Sequence, residues 1–280
     1  MFKVTLEDEF KKNPELKAED IQDVQIWIKS QPHLPPVPDL TIVLFLQACR
    51  WDLDTTKNTI DLYYTCRTKY TDFFSDRDPL SEEIQDIAKA VQVAFLPLSD
   101  PEGNRILWTR IVDPDPTNYN FIALIKYMTM TMEVFQLENG TVPGLVVVCD
   151  TDNFTTSHFP RIPFKHAKNN MHYSQNASSI LLKMIHYINA NSFIHKVFKI
   201  FKPLFRSAVF DMTQLHSNLE PLFQVIPKEI VPQEYGGKAM SLAEMNELNL
   251  KKLEEYRQYF KDQQVIVVDE KKRIRKNAKS

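Results

Sequence analysis

The spacing of apolar residues changes character near residue 90. Before that point it is helical. Ile21, Val24, Ile26, Trp27 and Ile28 recur at helical spacing within Ala18–Gln31, and Val43, Leu44 and Leu46 mark one side of a helix over Leu40–Cys49. The prolines between Pro32 and Pro38 separate the two, because proline fixes φ and pushes the residue before it to extended backbone. Asp39 is placed to cap the second helix. Asp54 or Thr55 starts a longer helix reaching about Phe74, and Ser81 caps a short one ending near Ala90. Residues 1–90 therefore read as a small all-helical domain.

Beyond residue 90 the period becomes extended. Val91–Leu98 and Arg105–Val112 flank the turn Asp100-Pro101-Glu102-Gly103-Asn104, which predicts a β-hairpin. Asn120–Leu137 reads as a long helix with Ile125, Met128 and Met132 along one side. Leu145–Cys149 is a continuous apolar run bounded by turn signals, the pattern of a strand buried on both faces. The helix before it supplies the crossover that a parallel pairing needs. Ala177–Asn189 contains another buried strand. There follow a helix over Ser192–Phe210, a short strand near Val209–Thr213, a helix near Leu215–Gln224, and a last helix from Ser241 to about Lys261. Val265–Val268 reads as an edge strand or a loosely docked segment, and Asp269–Ser280 as part of a charged, disordered tail. Alternating strand and helix predicts an α/β domain over 91–262, a mixed sheet covered by helices, with the tail over 263–280.

Ser192–Phe210 carries an unusual distribution of side chains. At about 100° per residue, Ile194, Phe198, Phe201 and Phe205 fall in one sector, and Phe193, Val197, Ile200 and Leu204 in the next. His195, Lys196, Lys199, Lys202 and Arg206 gather on the remaining side, around Pro203. A surface helix needs one apolar stripe. This stripe is wide enough to cover two apolar partners, which suits a helix that closes over a greasy pocket and touches a membrane. An ordinary core helix with a solvated lysine face has the same periodicity.

Composition narrows the classes. The 280 residues are 43% apolar and 25% charged, the balance of a soluble globular protein. The net charge is −2, and six of the 34 basic residues lie in the last ten positions. Residues 1–270 thus hold 28 basic and 36 acidic residues, a net of −8. No global basic excess exists to hold nucleic acid. Cys49, Cys66 and Cys149 are far apart and odd in number, the pattern of free thiols in a reducing compartment. The stretch MFKVTLEDEFKKN holds no apolar segment of signal-peptide type, and the longest apolar run is far too short to span a bilayer. Five glycines cannot compose a phosphate-binding loop or a nucleophile elbow. Asp113 with Asp115, and Asp150 with Asp152, read as turn formers rather than acid–base pairs. His158, His166, His172, His186 and His195 have no metal-ligand spacing. No catalytic residue, metal site or cofactor is expected. The apolar surplus favours a binding module with an apolar cavity.

Five stretches, in order, carry a family resemblance. Leu40–Phe74 looks like the helical N-terminal unit of CRAL-TRIO proteins. Gly144–Phe154 (GLVVVCDTDNF) is similar to the family's central strand and turn. His186-Tyr187-Ile188-Asn189 matches its H-x-I-N strand, Phe198–Leu204 (FKIFKPL) its lid helix, and Pro227–Gly237 (PKEIVPQEYGG) its closing P-x-x-x-x-P-x-E-Y-G-G. The likeness spans about residues 18–260 and leans toward the tocopherol- and retinaldehyde-binding branch.

The resemblance implies a non-catalytic, cytoplasmic monomer that carries a small hydrophobic ligand, meets membrane surfaces transiently and binds no nucleic acid.

 Carried over position by position, the pocket takes Ile125, Met128 and Met132 from the long helix, and Leu145, Val147 and Cys149 from the central strand. Phe154 and Ile162 follow that strand, Ile180, Leu182 and Ile185 come from the next, and Val197, Phe198, Phe201 and Phe205 come from the lid. Phe193, Val197 and Ile200, with Lys196, Lys199, Lys202 and Arg206, are the implied membrane contacts, to anionic lipid among others. Departures from the family pattern are specific. Its FLRAR segment reads Phe45-Leu46-Gln47-Ala48-Cys49, without the second basic residue. In the tocopherol-binding branch, basic residues before the H-x-I-N strand contact phosphoinositide head groups. Here only Lys183 stands there, and Ala208 occupies the basic position after the lid, which leaves Arg206 as its substitute. A phospholipid carrier of the same fold and a membrane-docking scaffold are the alternative readings.

Overall fold

The structure is a computed structural model that describes residues 2–274. Six helices come first: α1 (Leu6–Lys12), α2 (Ala18–Lys29), α3 (Asp39–Ala48), α4 (Leu53–Lys69), α5 (Thr71–Phe74) and α6 (Glu82–Ala90). Val24, Ile28, Ile42, Phe45, Leu46, Ile60 and Phe73 are buried together at the centre of this group. Apolar spacing does not announce α1, because LEDEFKK is mostly charged. A capping box between Thr5 and Asp8 starts it. Buried Glu9 anchors it, accepting hydrogen bonds from the Thr141 amide (3.1 Å) and from Asn13 (2.9 Å). The predicted single helix reaching Phe74 divides at Tyr70, whose backbone leaves the helical region (φ −99°, ψ 60°). The break lets Phe73 and Phe74 pack on His166 and Tyr173, with ring centroids 5.9 and 4.8 Å apart.

The sheet has five strands in sequential order: β1 (Val91–Phe95), β2 (Arg105–Ile111), β3 (Leu145–Asp150), β4 (Leu182–Ile188) and β5 (Thr213–Leu215). The β1–β2 pair is the expected antiparallel hairpin, and every later pair is parallel. Parallel neighbours need crossovers. These are α7 (Phe121–Asn139), α8 (Phe164–Asn176), and then α9 (Ser192–Phe201) with α10 (Ser207–Asp211). The strand expected at Val209–Thr213 lies further on, because α10 occupies most of that stretch. The helix expected at Leu215–Gln224 is only a 3₁₀ turn, Leu222–Gln224, begun by Pro221. The last helix divides at Tyr256 into α11 (Leu242–Glu255) and α12 (Arg257–Gln263).

The back of the sheet is packed solid. Trp108, Val146, Val148 and Ile188 meet Leu222, Ile226, Val231 and Leu242 there. The outer edge of β1 is finished by amide side chains from α11. Asn246 accepts from the Val93 amide (2.8 Å) and Asn249 donates to the Val93 carbonyl (3.1 Å). An edge closed in this way offers no template to another strand. On the same back face, His186 and His216 approach to 2.9 Å between Nδ1 and Nε2. Burial, and then His216 beside it, pulls His186 down to about 4.

Glu133 of α7 joins the two parts of the molecule. Its carboxylate accepts from Arg67 of α4 (2.5 Å) and from Arg77 beyond α5 (2.6 Å), and from Tyr259 of α12 (3.3 Å). Burial pushes the Glu133 carboxyl up, but the two guanidinium charges and their hydrogen bonds outweigh it and hold it below the usual carboxylate range. The segment after α12 also returns to the helical group. Val268 is buried, and Arg273 bonds both oxygens of Asp61 at 2.7 and 2.8 Å. Val265–Val268 thus forms no strand, and Asp269–Ile274 is docked rather than disordered. The remainder of the expected tail lies outside the described residues.

Glu133→Ala leaves two buried guanidinium groups without their carboxylate. It is expected to cost about 3–5 kcal/mol in urea unfolding. For His186, the unfolded chain takes up its proton near pH 6.5 and the folded chain only near 4. Stability should therefore fall as pH drops through that window. Melting temperatures measured from pH 7 to 4 should fall less steeply in His186→Leu than in the parent.

Candidate ligand-binding cavity

Burial along β3 betrays a hollow. All of Leu145–Cys149 is apolar, yet Val146 and Val148 are buried in the back layer while Val147 and Cys149 stay half-exposed on the front. On β4, Leu182, Ile185 and Tyr187 are half-exposed in the same way. These front positions face two adjoining chambers of about 200 and 280 Å³. The inner chamber has Leu145, Val147, Leu182 and Ile185 as its floor, with Ile180 beside them and Met132 on the α7 wall. Ile125, Met128, Cys149 and Phe205 border both chambers. The outer chamber adds Phe154 and Ile162 from the connection into α8, and a roof of Val197, Phe198 and Phe201 from α9. All fifteen pocket positions expected from the sequence lie on these walls.

Other wall residues were not expected. Helix α8 supplies Asn170, Met171, Ser174 and Gln175. Its sequence, FKHAKNNMHYSQN, is too polar to register as an apolar stripe. The usable signal was Pro163 at the N-cap, followed by Ala167, Asn170 and Ser174 along one face. Tyr63 of α4 reaches the inner chamber, so the helical group forms part of the wall. Tyr119 and Tyr187 line the outer one.

The roof is a lid in three pieces. Asn191 caps α9 by accepting from the Phe193 and Ile194 amides. Pro203, which lacks the N–H that would continue the helix, turns the chain into a 3₁₀ segment, Lys202–Leu204. The single helix expected over Ser192–Phe210 is therefore broken. A latch from α8 holds the break. Gln175 donates to the Leu204 carbonyl (3.0 Å) and accepts from the Arg206 amide (2.6 Å). The Arg206 guanidinium returns the contact, to the Gln175 carbonyl and to Asn176, each at 3.2 Å.

The outer apolar row of the lid is not uniform. Phe193 is half-buried against Phe154 and Phe159, at 6.2 and 6.3 Å between ring centroids, and Val197 faces the outer chamber. Ile200 alone of the three is open, at 52% exposure. Beside it stands Phe164 of α8, 56% exposed and stacked on Phe201 at 6.3 Å. Lys196, Lys199 and Lys202 are exposed, and none forms an ion pair among the described residues. The Lys202 ammonium sits 4.6 Å from the Phe210 ring centre. Lys183 packs its stem over Gly144, where a Cβ would come within 2.3 Å of it.

Burial raises the Cys149 thiol to about 11, far from a nucleophile's range. Asp113, Asp115 and Asp150 each accept from a backbone amide two residues on, as turn formers do. The described residues contain no group of three metal-ligating side chains. Nor do they include a helix long and apolar enough to cross a membrane.

Comparison with known proteins places this geometry. Residues 89–237 match the CRAL/TRIO domain, and residues 13–84 match the Pinta-like UBA domain. The chain belongs to the CRAL/TRIO family. Mouse alpha-tocopherol transfer protein-like is 29% identical over 245 residues, covering 84% of this chain and 69% of that protein. Rat clavesin-2 is 23% identical over 233 residues, covering 82% and 71%. The crystal structure of Sfh5 superposes with a TM-score of 0.55 at 15% identity, over 93% of this chain and 96% of that one, which is a likeness of fold. Within the CRAL/TRIO fold, three family motifs meet at one carboxylate. Asp150 accepts from Asn189 of the H-x-I-N strand (2.8 Å) and from Tyr235 of the E-Y-G-G close (2.7 Å). Asn189 itself has a left-handed backbone (φ 55°), which asparagine tolerates better than most residues.

Gln175→Ala removes two latch bonds and leaves the sheet untouched. Amide exchange over residues 202–206 is expected to accelerate about five- to thirtyfold, at one or two net hydrogen bonds, with the exchange of β3 unchanged.

Proposed function

We propose that this CRAL/TRIO protein carries a small hydrophobic molecule, tocopherol-, retinoid- or carotenoid-like, between membranes without altering it. The observation that carries the reading is a hollow apolar front face roofed by a latched lid, on whose outer side Ile200, the neighbouring Phe164 of α8 and exposed lysines lie open. Opening would wet Ile194, which is buried, and six half-buried lid side chains (Phe193, Val197, Phe198, Phe201, Leu204 and Phe205), at no more than about 1.5–3 kcal/mol each. Even half of that total is comparable with the stability margin of an ordinary domain, which keeps the lid shut in water. At a bilayer, Ile200 and Phe164 enter the interface while Lys196, Lys199 and Lys202 face anionic head groups. Opening then becomes affordable only where ligand can be loaded or unloaded. Arg206 is occupied by the latch, which argues for general attraction to anionic lipid over a specific phosphoinositide site built with Lys183.

Ile200→Asp and Phe164→Asp are each expected to slow ligand transfer between anionic vesicles about tenfold, with ligand affinity unchanged. Unchanged transfer removes the membrane role of these residues. Mass spectrometry of lipid extracted from the purified protein identifies the cargo, and a phospholipid there replaces the small-molecule reading.

A further inference from the structure

The wall that α7 presents to the cavity is apolar for two turns and then changes. Ile125, Met128 and Met132 border the inner chamber at spacings of three and four, and the next residue on that face is Gln136. Gln136 is buried, and it is clasped to Ser179, on the connection between α8 and β4. Its amide nitrogen donates to the Ser179 carbonyl (2.9 Å), and the Ser179 hydroxyl donates to its amide oxygen (2.8 Å). Space does not end at this clasp. Beyond it lies a third chamber of about 210 Å³, reaching into the helical group and walled by Pro36, Pro38, Leu44, Tyr64, Leu137 and Ile266. Tyr63, Glu133, Gln136 and Ser179 border both this chamber and the inner one, so they form the partition. Two of the four are fixed by other contacts. Glu133 holds Arg67 and Arg77, and the Tyr63 ring is packed on Phe45 (5.1 Å between centroids) and under Arg67. The Gln136 and Ser179 side chains hydrogen-bond to no described residue but each other.

We infer that Gln136 and Ser179 set the length of the cargo: their clasp is the stop against which the far end of its hydrocarbon chain comes to rest. This rests on the carrier reading above and adds a specificity-determining pair to it. An apolar chain gains about fourfold in affinity for each methylene it buries. A chain pushed past the stop must part the clasp, and it offers nothing that can hydrogen-bond. The Gln136 amide nitrogen and oxygen, and the Ser179 hydroxyl and carbonyl, are then left unpaired in apolar surroundings, at about fivefold each or more. Together that is about 600-fold, which offsets about four or five methylenes. The third chamber is closed to cargo by hydrogen bonding, not by lack of room.

The test measures binding of straight-chain primary alcohols, from octanol to eicosanol, by displacement of a fluorescent apolar probe from the full chain. In the parent protein, affinity should rise about fourfold per carbon and then stay level over about four carbons. In Gln136→Ala the level stretch should disappear, with octanol affinity unchanged as the control for folding. Ser179→Ala, which deletes one clasp bond and little volume, should shorten the stretch by about half. Adding Thr41→Trp, a bulky ring on the wall of the third chamber, should restore it in the Gln136→Ala protein. A parent with no level stretch overturns the stop and leaves the carrier reading standing. Variants at Gln136 and Ser179 that level off as the parent does also overturn it. So does an extension that Thr41→Trp fails to reverse, because the chain end then lies elsewhere. Failure of every alcohol to bind the parent overturns the carrier reading together with this one.

Discussion

A single buried carboxylate sets the relation between the two parts of this protein. Glu133 receives guanidinium groups from α4 and from the loop beyond α5, and a phenol from α12. Each charge is costly to bury alone and tolerable only in the others' company. The cluster therefore punishes any arrangement in which the helical group drifts away from α7. Its position has a second effect. Met132, the preceding residue of α7, lines the inner chamber, and Tyr63 lies both under Arg67 (5.0 Å to the ring centre) and on the chamber wall. Electrostatic fixation and cavity shape are built from adjacent side chains, so the helical group belongs to the cavity.

The hollow itself follows from how the sheet is covered. Behind it, residues 219–245 deliver enough apolar side chains to fill every gap. In front, the covering elements are a long helix, a polar helix and a lid broken by proline. Their side chains do not close the space over Val147, Cys149 and Ile185. Close-packed interiors leave few voids larger than a water molecule. A cavity of this size on an apolar strand face is a departure that packing alone does not account for.

Legibility in the sequence tracked the kind of force involved. Strands β1 to β4, the hairpin, the crossover helix α7 and the inward row of the lid were readable because apolar periodicity reports burial directly. The fifteen pocket positions came through the resemblance and fall on the same faces. Features held by polar contacts were not readable. Helix α1 depends on a capping box and on Glu9, whose partner at Thr141 is remote in sequence. Helix α8 presents amides and small residues to the cavity. The His186–His216 pair unites residues thirty positions apart, and although His186 opens the H-x-I-N motif, nothing in the spacing points to His216 as its partner. Phe193 misled because a helical wheel assigns it outward, whereas Phe159 arrives from another segment to cover it. The docked segment near Arg273 looked like a solvated tail because its partner, Asp61, lies in a distant helix.

The latched lid has a topological consequence. It is inserted between β4 and β5, which are parallel neighbours, so it is also the only route by which the chain gets back to the starting side of the sheet. Such a cover cannot be shed by cleavage or deletion without stranding the edge strand. Its two ends are anchored, at the Asn189 turn, where Asn189 donates to Asp150 (2.8 Å), and before β5, where the Ile185 amide donates to the Met212 carbonyl (2.9 Å). A cover tied to the sheet at both ends can swing but cannot detach.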